Sequence, residues 1–131
     1  MDQVAAAQFA NFIARFYQNM ATQVGNYLHE NIGNIPADEF TILSNDQTRL
    51  ISYSNTFFAL SDAIAFEGAD VYFKMVQNAT NDINDALKKI QKTDTVITIA
   101  ANVIALAGGI ASKNTGMITT ALTALKGAIK L

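Results

Sequence analysis

The chain has 131 residues and a mass of 14.1 kDa, the usual size of one domain with one core. Half of it is apolar but only 15% is charged, against about 25% in ordinary soluble domains, so the surface must be short of charge. The lack of cysteine excludes disulfides, thiol nucleophiles and thiolate metal sites, a single histidine (His29) excludes a multi-histidine centre, and a net charge of −2 with pI near 5.1 argues against nucleic-acid binding.

The opening Met1-Asp2-Gln3-Val4 has no positive n-region, and Gln3, Gln8 and Asn11 interrupt the apolar run, so no Sec-type signal peptide is expected. Location stays open between the cytoplasm and non-classical export. Phe9, Phe12, Phe16, Met20, Val24 and Leu28 recur at spacings of three and four, which predicts an amphipathic helix over residues 3–30. Gly25 inside it marks a bend or a close helix contact. His29, at the helix end, fits a dipole-facing surface residue better than a catalyst. Asn31, Gly33 and Asn34 stop the helix, Pro36 fixes the chain, and a turn or two of helix is expected up to Leu43.

Ser44 with Gln47 three residues on has the form of a capping box and predicts the start of a long central helix. Apolar residues from Leu50 to Ile90 keep helical spacing as far as Lys92, and continuity through Gly68 is left open between one helix and two that meet at a kink. Asp70 with Lys74 and Asp85 with Lys89 are favourable i,i+4 pairs, and Lys88, Lys89 and Lys92 suit the negative end of the helix dipole.

Residues 95–131 predict an apolar helical hairpin, with its first arm uncharged from Thr95 to Ser112, a turn around Lys113 and Gly116, and a second arm carrying Ile118, Leu122, Leu125 and Ile129 on one face. About 18 residues of helix span about 27 Å, close to the ~30 Å hydrocarbon layer of a bilayer. Ala101, Ala105 and Gly109 on one arm, and Gly116 with Thr120, Ala124 and Ala128 on the other, recur every four residues, a spacing that allows close backbone approach. The candidate packing or membrane face is therefore Ala101, Ile104, Ala105, Gly109, Gly116, Ile118, Leu122, Leu125 and Ile129. Lys113, Lys126 and Lys130 are the candidate headgroup contacts. In broad pattern, and without a diagnostic motif, this hairpin resembles those of α-helical pore-forming toxins, which would imply membrane insertion.

Charge and aromatic content divide the chain at Phe73. Residues 1–73 hold two cations against eight carboxylates and all 12 aromatic residues, whereas residues 74–131 hold seven cations against three carboxylates, a net −6 against +4. The expected architecture is an all-α, single-domain bundle of about four helices over residues 1–131, with a long central helix and the apolar C-terminal hairpin. No Glu-x-x-His metal motif, calcium loop, phosphate-binding glycine loop or nucleophile with an adjacent base is present, so no enzyme, cofactor or metal is expected. The expected function is non-enzymatic: binding a protein partner or copies of itself through low-charge helical faces, as a scaffold or a secretion or toxin partner would. A membrane-active hairpin is the second reading. An apolar ligand held among Phe9, Phe12, Phe16, Phe57, Phe58, Phe66 and Phe73 is the third.

Overall fold

In the computed structural model, which describes residues 2–89 and 92–129, helix α1 runs from Gln3 to Glu30, the bounds that its apolar spacing predicts. The Asp2 side chain starts it by accepting a 2.7 Å hydrogen bond from the Ala5 N–H, supplying one donor at the first turn with a partner. Helix α1 runs unbroken through Gly25. The glycine admits the Gln47 side chain of the second helix so closely that a Cβ there would collide with it.

Helix α2 spans Ala37–Leu60, so the expected start at Ser44 is corrected by about two turns. Pro36 at φ −55° is already set for the turn into a helix, and Asp38 and Glu39 complement the positive end of its dipole. With the helix under way, Ser44 is an interior residue whose carbonyl accepts from the Thr48 hydroxyl. Its side chain has no free N–H to cap.

The central helix is not continuous through Gly68. It stops at Leu60, where Ser61 turns to φ +48°, passes through a 3-10 turn at Ser61–Ile64, and resumes after Gly68 at φ +78° as α3, Ala69–Lys89. Helices α4 (Thr93–Ser112) and α5 (Thr115–Ile129) form the expected hairpin, giving five helices and no strand among the described residues rather than about four helices around a long centre.

Cross-helix contacts set the directions. Ser54 on α2 donates 2.7 Å to the Ala14 carbonyl of α1, and the tight turn between them makes the pair antiparallel. Phe9 stacks on Phe73 with ring centres 3.8 Å apart, and Asn19 donates to Asn84 at 3.1 Å, so α3 runs parallel to α1. Tyr17 reaches Val103, and Tyr27 reaches Thr93, so α4 runs antiparallel to α1. The helices thus alternate up and down in chain order. Around the bundle, however, their order is α3, α1, α2, α4, α5, closing with α5 against α3. Buried side chains from every helix join in one cluster, with Tyr17, Phe57, Phe73, Ile13 and Leu50 among the largest fully enclosed. Each such side chain contributes about 1.5–3 kcal/mol by leaving water.

Candidate functional site

The hairpin of α4 and α5 is built around one close approach. A Cβ on Gly109 would lie 3.0 Å from both the Ile118 backbone nitrogen and the Met117 Cβ, tighter than ordinary contact, so the glycine lets the two backbones come near without a shift. Lys113 closes α4 in the left-handed region at φ +58°, its N–H donating to Ile110 while that of Asn114 donates to Gly109, the double bond of a Schellman end. Asn114 then caps α5 by accepting from the Met117 N–H at 3.1 Å.

The residues proposed for a packing or membrane face divide into two sets. Gly109, Ile118, Leu122 and Leu125 are buried, and Ile104 and Ile129 half-buried, so these form the inner face of the hairpin and meet the rest of the bundle. Ala101, Ala105 and Gly116 face outward and are exposed, as are Thr120 and Ala124 of the second ridge. The four-residue ridges of small side chains therefore lie largely on the outside, and Gly109 is the member that makes the seam. Lys113 stands exposed at the hairpin tip and Lys126 exposed in the last turn of α5, while Lys130 lies outside the described residues.

Helix α4 is long and apolar enough to cross a membrane by length and composition, and 44% of its most apolar window is buried inside the bundle. Its large side chains point inward: Val96, Ile99, Val103, Leu106 and Ile110 are all buried. Its exposed positions between the ends hold Thr98, Ala101 and Ala105. The helix is thus amphipathic by size rather than by polarity.

The phenylalanines considered for ligand binding serve two separate places. Phe57 packs against Tyr17 at 5.4 Å on the α2 side, whereas Phe66 meets Phe73 edge-on at 5.7 Å beside the Phe9 stack. Phe16 is buried, and Phe12 and Phe58 are 38% and 46% exposed. His29 is exposed in the last turn of α1, and among the described residues no group of three metal-ligating side chains converges.

A feature that sequence reasoning missed is the groove between α3 and α5, of about 200 Å³. Met75, Ala79 and Ile83 of α3 and Leu122, Leu125 and Ile129 of α5 give it an apolar floor, with Asp82 on the α3 lip and Lys126 on the α5 lip. The available signal was Val71 and Met75, one turn apart on α3 yet off the buried stripe of Phe73, Val76, Thr80 and Ile83. They are 65% and 39% exposed. An apolar floor between charged lips can take up an apolar ridge and orient it by charge.

Two buried polar groups are electrostatically notable. Burial, with the neighbouring Tyr53 as a smaller cause, holds the Tyr17 phenol well above its ordinary range, and its hydroxyl donates 2.6 Å to the Val103 carbonyl. Burial likewise raises the Asp46 carboxyl, an effect that Arg49 partly offsets. Comparison with protein-family models, with characterised proteins and with solved structures finds no match to this chain.

Proposed function

We propose that the protein acts by binding other protein chains, copies of itself included, and not by catalysis. The observation that carries this reading is where its exposed large apolar side chains lie. Val4, Phe12, Ile32, Ile42, Ile51, Phe58, Val71, Met75 and Met117 are all more than a third exposed, and none of them belongs to α4. Apolar surface left on a charge-poor exterior favours association, because little like-charge repulsion opposes it. Helix α4, by contrast, turns its large residues inward and contributes them to the core.

Light scattering behind a sizing column, joined to flotation with neutral and anionic vesicles, tests the reading. A defined oligomer, or a discrete complex with a partner chain, in protein that does not float is the expected result. A strict monomer at high concentration that floats with vesicles would overturn it in favour of the membrane reading. That second reading draws on the uncharged outer strip Thr98, Ala101 and Ala105 of a helix long enough to span a bilayer.

A further inference from the structure

We infer that the groove between α3 and α5 is a twofold interface in which a second copy of this chain lies alongside the first, its helices parallel to those it covers. The inference rests on the self-association half of the proposed function and assigns it a surface. Helices α3 and α5 run in the same direction and sit side by side, so a twofold axis parallel to both, lying in the interface, places α3 of each copy over α5 of the other. The apolar floor and the exposed Val71 and Met75, which continue it along α3, are then covered together.

Charge selects the second copy as occupant and also selects the axis. Asp82 and Lys126 stand on opposite lips of the same groove, and among the described residues no ion pair engages either. Rotation about the parallel axis exchanges the lips, which brings Asp82 of each copy to Lys126 of the other, twice. A twofold axis across the helices at the level of these residues would instead set Asp82 against Asp82 and Lys126 against Lys126, which like-charge repulsion disfavours. A wholly apolar partner helix would leave both charges on the rim unmatched.

The test uses the full chain and the variants Asp82→Lys and Lys126→Glu, both at exposed positions, with circular dichroism confirming their fold. Sedimentation equilibrium should show the unaltered protein dimerising and each variant alone weakened on the order of tenfold or more, since each places like charges across both contacts. A one-to-one mixture of the two variants should restore the dimer, because each mixed contact again joins opposite charges. An unaltered protein that is monomeric throughout would overturn both this interface and the self-association it rests on. A dimer indifferent to either reversal would overturn the interface and leave self-association standing. Weakening that the mixture does not restore would overturn the twofold pairing of Asp82 with Lys126.

Discussion

The Tyr17 hydroxyl donates a 2.6 Å hydrogen bond to the main-chain carbonyl of Val103, tying the middle of α1 to the middle of α4 across 86 residues of sequence. The ring is fully enclosed and makes tilted contacts with Tyr53 and Phe57. Tyr17→Phe keeps the ring and removes the bond, so it should lower stability by about 0.5–1.5 kcal/mol, whereas Tyr17→Ala should cost about 3–5 kcal/mol. Urea denaturation measures both. The folded phenol ionises above its unfolded value, so the unfolded chain releases that proton first and stability falls as pH rises beyond about 10. Tyr17→Phe should flatten that alkaline loss.

Asp46 should make the protein more stable in mild acid than its other carboxylates would suggest. Its carboxyl titrates above the ordinary value of 3.8 because it is buried, at 7% exposure between the core positions Leu43 and Leu50 of α2. A raised folded value means that its stabilisation is complete below the unfolded value and is lost as pH rises through the folded one. Asp46→Asn should therefore raise the urea midpoint at pH 7, with the gain shrinking as the pH approaches 4. Equal gains at both pH values would contradict this.

Two glycines of the hairpin should respond in opposite ways to alanine. Gly109→Ala forces the α4 and α5 backbones apart and should cost about 1–3 kcal/mol. Gly127, in the last turns of α5, has open space where a Cβ would go, so Gly127→Ala should stabilise by about 0.4–1 kcal/mol. Thermal melts of the two variants give both signs.

Ser61 and Lys113 hold positive φ angles of 48° and 58° with side chains that resist them. Ser61 also has ψ −126°, a combination natural to glycine. Ser61→Gly and Lys113→Gly should each raise the melting temperature, by the equivalent of up to about 1 kcal/mol after the added freedom of the unfolded glycine is counted. A fall at either site would show that its side chain contributes more than its backbone conformation costs.

Much of this architecture was legible in the residues themselves. Apolar spacing from Phe9 to Leu28 located α1, with ends expected at about Gln3 and Glu30, and an uncharged run followed by a Lys-Asn-Thr-Gly turn marked the hairpin. The start of α2 was misplaced because Ser44 and Gln47 have the form of a cap, while Pro36 and two carboxylates had begun the helix about two turns earlier. The break at Ser61 was hidden because Leu60 and Ile64 keep helical spacing through it. The groove was out of reach for a different reason. Periodicity tells which face of α3 or α5 is apolar, but not that the two helices are neighbours, and Asp82 and Lys126 gain their relation only from that adjacency.

The circular order of the helices also bears on how the protein breathes. The pair α1 and α2, and the pair α4 and α5, are each joined by a short turn and close upon themselves, whereas α3 packs on α1 and α5, neither of which it follows directly in a hairpin. It enters through the 3-10 turn and loop that follow α2, and so serves as a clasp laid across two finished units. Its amide hydrogens should exchange with solvent faster than those of α1 and α4, as native-state hydrogen exchange read by NMR can establish. The groove on its flank would then form last in folding, when the clasp closes.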